Sequence, residues 1–129
     1  MAGEIKMKTA WIVDDDEEMT RAVQLMLQLI DFEATGYFNA RSATQALLAG
    51  KQPDLMILDI NMPEVSGLDL LEFLRRRAEW KNLPVIMLST EAADVTVDKA
   101  MKLGANGYVM KPVTIEELER AVNNALQKH

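Results

Sequence analysis

The chain has 129 residues, 49% of them hydrophobic and 26% charged, which predicts one soluble globular domain, residues 1–129 with a core of about 8–127. A net charge of −6 argues against direct nucleic-acid binding, and the absence of cysteine excludes disulfides and thiolate metal sites. Because no apolar run approaches the ~20 residues that cross a bilayer, and the N-terminus lacks the apolar stretch of a signal peptide, we expect a cytoplasmic protein without membrane contact.

The first predicted elements are a strand, a helix and a weaker strand. Residues 9–13 form a short apolar run that leads into five consecutive acids, Asp14–Glu18. From Met19 onward, apolar residues recur with helical spacing over about 14 residues. Strand two is predicted near Glu33–Tyr37. Because like charges at such short separations repel, the five acids indicate either a solvated cluster or a site for a positive group.

The middle of the chain repeats this alternation. Ser42 and Gln45 predict a capping box at the start of helix two, and Gly50 its end. The run "DLMILDI" is rich enough in Leu and Ile to predict a third strand that is buried on both faces. Helix three is predicted over residues 68–78.

The last third adds two more strands and two more helices. The runs "VIMLS" and "GYVM" predict strands four and five, and helix four is predicted between them over 92–102, closed by Gly104. Thr114 and Glu117 predict a capping box before the final helix, "IEELERAVNNALQ".

Five strands that alternate with five helices predict an α/β fold, a parallel sheet covered by helices on both faces with right-handed crossovers. In such open sheets, ligands bind beyond the carboxyl ends of the strands. The residues predicted at that edge are Asp14, Asp15, Asp16, Asp59, Ser89, Thr90 and Lys111. A single acid after a strand more often caps the next helix, but such residues at four of five strand ends together predict a site.

The residue types at this edge indicate one kind of chemistry. Carboxylates without nearby Cys or His suit a hard cation, Mg²⁺ or alternatively Mn²⁺, and the sole histidine is His129. An aspartate beside such a cation, a lysine and a hydroxyl suits in-line attack on a phosphoryl group, with the carboxylate as nucleophile. Asp16, Glu17 and Glu18 suit instead the first turn of helix one.

The order of the motifs "VDD", "LDINMPEVSG", "PVIMLST" and "GYVMKP" resembles the receiver domain of two-component response regulators, including the single-domain chemotaxis regulators, over about residues 8–127. The resemblance implies a five-stranded, flavodoxin-like (βα)5 sandwich with strand order 2-1-3-4-5. It implies phosphotransfer from a histidine kinase or a phosphotransfer protein with Mg²⁺. It also implies a signalling receiver, not an enzyme with an external substrate, because such a domain catalyses only its own phosphorylation and dephosphorylation.

Residue roles follow from the resemblance by position. Asp59 corresponds to the phospho-acceptor, and Asp14 and Asp15 correspond to the acidic pair that holds the metal together with Asp59. The backbone carbonyl of Asn61 corresponds to the remaining protein ligand of Mg²⁺. Lys111 corresponds to the lysine that pairs with the acceptor and then with the phosphoryl group, and its bond to the following proline is often cis in relatives.

The resemblance also implies a switch. Ser89 corresponds to the hydroxyl that moves to bind a phosphoryl oxygen, and Tyr108 to the aromatic residue that rotates inward with it. Asn61 and Glu91 stand at positions that modulate phosphoryl lifetime, by slowing or orienting the attacking water. Thr90 departs from the small residue usual after the switch hydroxyl and would narrow access to the acyl phosphate.

Partners are implied in the same way. The downstream target would dock on the face formed by helix four, strand five and helix five, about residues 92–127. The kinase would contact helix one around Thr20–Gln24 and the loop after Lys111. Apart from these partners we expect a monomer or a weak homodimer. Most of the apolar residues Val95, Val97 and Met101 are expected to pack in the core.

Two alternatives come from other classes of protein. A haloacid-dehalogenase-like phosphatase would use an Asp-x-Asp motif after strand one, which Asp14 and Asp16 satisfy, but its second acidic motif does not follow Lys111. The other alternative is a binding module that keeps the fold and works independently of phosphorylation.

Overall fold

The computed structural model of the chain describes residues 7–90 and 94–127. Five strands alternate with five helices along the chain. The strands are β1 (Lys8–Val13), β2 (Phe32–Tyr37), β3 (Leu55–Asp59), β4 (Val85–Ser89) and β5 (Gly107–Met110). The helices are α1 (Glu17–Leu29), α2 (Ala40–Leu48), α3 (Gly67–Arg75), α4 (Asp94–Lys102) and α5 (Ile115–Leu126). The first two residues of the predicted helix four, 92 and 93, and the preceding Glu91 lie outside the described residues.

All five strands pair in parallel in the order β2-β1-β3-β4-β5, which confirms the predicted fold. Every residue of β3 and β4 is buried, and each strand is apolar until its last residue, Asp59 or Ser89. Because a parallel sheet has helices on both faces, a central strand has no solvent-facing side. A polar residue is tolerated there only at the end, and both strands end at the same edge.

Two hydrophobic cores lie on the two faces of the sheet. On one face, α1 and α5 pack on the strands through residues such as Val23 and Leu118. On the other face, α2, α3 and α4 contribute residues such as Ala43, Leu71 and Ala100. Burying apolar surface on both faces is the main stabilising term for a sheet of this kind. Among the described residues, none of the helices combines the length and apolar character needed to cross a membrane.

The start of α1 is set by its cap. Asp16 is the N-cap, and its Oδ1 accepts hydrogen bonds from Glu18 N at 3.0 Å and Met19 N at 3.2 Å. The helix therefore begins at Glu17, two residues before the apolar periodicity starts at Met19. The first turn contains no apolar residue, so apolar periodicity does not reveal it. Its acids interact favourably with the helix dipole, which is the role predicted for Asp16–Glu18.

The predicted capping box of Ser42 and Gln45 is wrong. Asn39 caps α2 instead, because its Oδ1 accepts a hydrogen bond from Ser42 N at 2.7 Å, which places Ser42 inside the helix. Asparagine is as good an N-cap as serine, and the sequence prediction overlooked Asn39. The predicted end is confirmed, since the helix stops at Leu48 and Gly50 has a φ of 96°.

The other helix ends follow simple local rules. α3 is capped by Ser66, whose side chain and that of Asp69 form a reciprocal capping box. The helix ends at Arg75, three residues before the predicted end. Gly104 has a φ of 108° just after α4, and Thr114 Oγ1 accepts a hydrogen bond from Glu117 N at 3.2 Å at the start of α5.

Candidate functional site

The carboxyl edge of the sheet brings together two aspartates and one lysine that are far apart in sequence. Lys111 Nζ lies 3.0 Å from Asp14 Oδ2 and 3.0 Å from Asp59 Oδ1. Asp14 is fully buried and Asp59 is 4% exposed. A buried charge is costly unless it is paired, so this lysine is the counter-charge that the two carboxylates require.

The strand order explains why these three residues meet. Asp14 directly follows β1, Asp59 ends β3, and Lys111 directly follows β5. Because β3 lies next to β1 and only β4 separates it from β5, a long side chain can reach from the β5 end to both carboxylates. The Lys111 backbone is held by a hydrogen bond from its N–H to Ser89 O at 2.8 Å, and the Lys111–Pro112 peptide is cis.

Burial and charge act against each other in this group. Burial raises the pKa of the Asp59 carboxyl above its ordinary value; the hydrogen bond from Lys111 opposes that shift, and the charge of Asp14 adds to it. Burial by itself would lower the pKa of Lys111, but the carboxylates of Asp14 and Asp59 outweigh it, so the net shift is upward. The lysine therefore stays positively charged at neutral pH.

The carboxylates also fit the requirements of a hard cation. One oxygen from each of Asp14, Asp15 and Asp59 lies within 4.8 Å of the others. Asp14 Oδ2 is buried and, within the described residues, accepts no hydrogen bond of good geometry, although Lys111 Nζ is only 3.0 Å away. Asp15 is exposed at the rim, which leaves room for the water ligands that Mg²⁺ usually keeps. The donor set fits Mg²⁺ or Mn²⁺.

The five consecutive acids divide into two groups. Asp14 and Asp15 face the site, whereas Asp16 caps α1 with its carboxylate. Asp16 N also donates a hydrogen bond to Asp14 Oδ1 at 3.0 Å, so that oxygen is occupied and Oδ2 is the one directed at the lysine. Glu17 and Glu18 are exposed in the first turn. Only two of the five acids therefore belong to the site.

The residues predicted to form the switch lie on the neighbouring strands β4 and β5. Ser89 is fully buried at the end of β4, and Tyr108 is half-buried in β5, paired with Met87. Since side chains alternate along a strand, Ser89 and Met87 share one face of the sheet, and both Met87 and Tyr108 pack in the core on that face. Thr90 is exposed. The structure thus places Ser89 and Tyr108 on the side of the sheet covered by α4.

The two residues predicted to modulate phosphoryl lifetime are only partly described. Asn61 is exposed two residues beyond Asp59. Glu91 lies outside the described residues.

Sequence reasoning missed the role of Gly67. A Cβ built on Gly67 would lie 2.1 Å from Asp59 O, and Gly67 N donates a hydrogen bond to Ile60 O at 2.9 Å. The loop after β3 therefore returns so closely to Asp59 that only glycine fits. The signal was present in the sequence, as the glycine that ends "NMPEVSG" and begins α3.

The position of Thr20 was predicted wrongly. Thr20 was expected on the kinase-facing surface of helix one, but it is fully buried, and its hydroxyl donates to Asp14 O at 2.8 Å. Arg21 is exposed and Gln24 is half-buried, so these neighbours are the ones left at the surface. The stretch Thr20–Gln24 was implied as a whole by the resemblance, but within it a threonine whose hydroxyl finds an acceptor can be buried.

The chain matches a known protein family over most of its length. The response regulator receiver domain family matches residues 10–123. Chemotaxis protein CheY of Pseudomonas aeruginosa is 32% identical over 117 residues, which covers 91% of this chain and 94% of CheY. The two-component response regulator ARR10 of Arabidopsis thaliana is 38% identical over 117 residues, which covers 90% of this chain. The chain spans only 21% of ARR10 and 18% of the longer Protein RcaC of Microchaete diplosiphon.

The fold agrees with a solved structure from the same family. Chemotaxis protein CheY4 of Vibrio cholerae matches with a TM-score of 0.85 and 27% sequence identity, covering 94% of this chain and all of CheY4 (100%). The strand order β2-β1-β3-β4-β5 and the match over residues 10–123 lead to one assignment. The chain belongs to the response regulator receiver domains of two-component signalling systems.

Proposed function

We propose that this receiver accepts a phosphoryl group on Asp59 from a phosphohistidine of a histidine kinase or a phosphotransfer protein. Receiver domains act as signalling modules in phosphorelays with such partners, and the family assignment supports the same role here. The observation that carries the proposal is the surroundings of Asp59. Its carboxylate is almost fully buried, Lys111 Nζ lies 3.0 Å from it, and the carboxylates of Asp14 and Asp15 lie beside it. We place the acceptor at Asp59 because its position in "LDINMPEVSG" matches that of the phospho-acceptor in the family.

The proposed step is an in-line transfer. A carboxylate oxygen of Asp59 forms a bond to phosphorus while the P–N bond to the donor imidazole breaks, and the leaving imidazole takes up a proton from solvent. Lys111, already paired with Asp59 Oδ1, is placed to pair with an oxygen of the transferred group. Its charge offsets the added negative charge in a site that contains two other carboxylates.

We propose that the site uses Mg²⁺, with Mn²⁺ as an alternative, held by Asp14, Asp15, Asp59 and the backbone carbonyl of Asn61. The cation would neutralise oxygens of the phosphoryl group as it is transferred. The support is the set of three carboxylate oxygens within 4.8 Å of one another and the buried Asp14 Oδ2. These are oxygen ligands of the type that Mg²⁺ prefers.

Millimolar Mg²⁺ is expected to raise the melting temperature of the protein, because it relieves the repulsion among the three carboxylates. Asp15→Asn should blunt this rise by removing a ligand and one of the repelling charges. Asp16→Asn is the matched control, since it removes the same charge one residue further on and asparagine still caps α1. A melting temperature that does not change with Mg²⁺, or an equal effect of both variants, would contradict the proposed ligand set.

We propose that phosphorylation is read out through Ser89 and Tyr108 on the α4-β5-α5 face. A groove of about 290 Å³ runs between β5 and α5, lined by residues that include Tyr108, Glu117 and Arg120. On α4, Val95 is 78% exposed and Met101 45%, so the expectation that most of Val95, Val97 and Met101 pack in the core was wrong. Exposed apolar side chains on α4 are suited to a protein partner. We propose a monomer or weak homodimer as the form that binds it.

The phosphatase alternative loses its support at Asp16. In such an enzyme the second aspartate of Asp-x-Asp would act on the substrate, but here the Asp16 carboxylate accepts two backbone hydrogen bonds as the α1 cap. The family assignment also differs.

A single incubation separates the classes of function. With Mg²⁺ and acetyl phosphate, a receiver is expected to gain one phosphoryl group per chain, measured by intact mass. A phosphatase would instead release inorganic phosphate catalytically from several phosphoesters while its own mass stayed unchanged. A binding module that works without phosphorylation would do neither, so absence of the mass gain contradicts the proposed function.

A further inference from the structure

We propose that Thr20 is a positioning residue for the metal-binding carboxylates, an inference that rests on the function proposed above. Thr20 is fully buried in α1, and its hydroxyl lies within hydrogen-bond distance of two backbone oxygens of the acidic turn, Asp14 O at 2.8 Å and Asp16 O at 3.0 Å. These two residues flank Asp15. The turn that carries the metal pair is thus held by a side chain that supplies no ligand itself.

The shorter of the two contacts is the one that requires a hydroxyl. Asp16 O already accepts the helical hydrogen bond from Thr20 N at 2.9 Å. Asp14 O precedes the N-cap Asp16 and lies outside the helix. It is therefore not part of the backbone hydrogen-bond pattern of α1, in which Asp16 O takes part. The hydroxyl of Thr20 at 2.8 Å is the donor that ties this carbonyl to the helix.

That hydrogen bond fixes the orientation of one particular peptide group. A peptide is planar, so Asp14 O and Asp15 N lie in one plane. Holding Asp14 O prevents this plane from rotating, and the plane sets the direction in which the Asp15 side chain leaves the turn. Asp14 is also held from its other side, where its N–H donates to Tyr37 O at 3.1 Å. The hydroxyl therefore aligns Asp15 relative to a fixed Asp14.

The neighbouring strand leaves the space that Thr20 needs. A Cβ built on Gly36 in β2 would lie 2.6 Å from Thr20 Cγ2. Because glycine has no side chain, there is space at this position for the methyl group of Thr20. A β-branched side chain is stiff at χ1, and this stiffness together with the two backbone oxygens holds the hydroxyl toward the acidic turn. Oriented second-layer groups of this kind commonly tune metal affinity.

The test is Mg²⁺ binding to the full chain by isothermal titration calorimetry. Thr20→Val keeps the shape but removes the hydroxyl, and we expect it to bind Mg²⁺ roughly tenfold more weakly. Thr20→Ser keeps the hydroxyl and should retain the wild-type affinity. Thr44→Val makes the same exchange at a half-buried position of α2 and should not change Mg²⁺ binding.

A second readout distinguishes positioning from a general structural effect. With acetyl phosphate as donor, Thr20→Val should need about tenfold more Mg²⁺ for half-maximal phosphorylation, yet reach the wild-type rate when Mg²⁺ is saturating. A lower maximal rate with unchanged Mg²⁺ dependence would overturn the proposal.

The remaining outcomes are also decisive. Equal Mg²⁺ affinity in Thr20→Val and wild type overturns the role of Thr20. An equal loss in Thr20→Ser, which keeps the hydroxyl, also overturns it, because the effect would then come from packing around position 20 and not from the hydroxyl. If Thr20→Val does not fold, the comparison of Thr20→Ser with Thr20→Ala decides by the same criterion. Wild-type protein that binds Mg²⁺ but gains no phosphoryl group would contradict the proposed function and leave the Thr20 comparison standing.

Discussion

Asp59→Asn is expected to abolish phosphoryl uptake from acetyl phosphate and Mg²⁺, whereas the wild-type chain gains one phosphoryl group. The amide has almost the same size and stays at the end of β3, next to Lys111. It lacks the charged oxygen that attacks phosphorus, so binding of the donor can persist while the chemical step is lost. Intact mass measured after a fixed incubation gives the result directly.

The control for this variant is a surface aspartate. Asp98 is exposed on α4, and Asp98→Asn removes the same charge without touching the site, so it should gain the phosphoryl group as the wild type does. A mass gain that survives Asp59→Asn would place the acceptor elsewhere, with Asp14 and Asp15 as the next residues to replace.

Lys111→Met is expected to lower the free energy of unfolding of the metal-free protein by about 3 kcal/mol, because removing one partner of a buried ion pair leaves an uncompensated buried charge. Lys111 contacts both Asp14 and Asp59, and its side chain is only 14% exposed. Methionine keeps the apolar part of the side chain, so the loss reports the missing charge. Urea unfolding measures it.

The size of this loss should depend on pH. Burial raises the folded-state pKa of Asp59 above its ordinary value of 3.8, so the folded protein holds that proton more tightly than the unfolded chain does. The stability associated with this proton is present at low pH and is lost as pH rises through the folded pKa. Without Lys111 that pKa rises further, so Lys111→Met should be less destabilised at about pH 5 than at about pH 8.

Two comparisons complete the lysine experiment. Lys102→Met, at an exposed position of α4, should change stability little at either pH. Mg²⁺ should recover part of the stability of Lys111→Met, because it supplies positive charge next to the same carboxylates. Equal unfolding free energies for Lys111→Met and wild type would show that the lysine is not the counter-charge of the site.

Much of the fold could be predicted because the signals are local. β3 and β4 are uninterrupted apolar runs that each end in one polar residue. This pattern predicts both the strand and the end of the strand at which the site lies. Gly50 and Gly104 have positive φ angles just after the ends of their helices. Because glycine adopts such angles more easily than other residues do, the residue type by itself predicts these helix ends. The capping of α2 was less readable, because Asn39 and Ser42 are both good caps only three residues apart.

The sequence by itself determined the alternation of strands and helices, the parallel sheet and the set of polar residues at its carboxyl edge, because periodicity and strand ends are properties of short segments. Only the tertiary structure decided how those residues meet. Lys111 reaches Asp14 and Asp59 because of the strand order, and Thr20 reaches Asp14 O because α1 turns its hydroxyl inward. Contacts across the sheet depend on the packing of distant segments, which residue type alone does not specify.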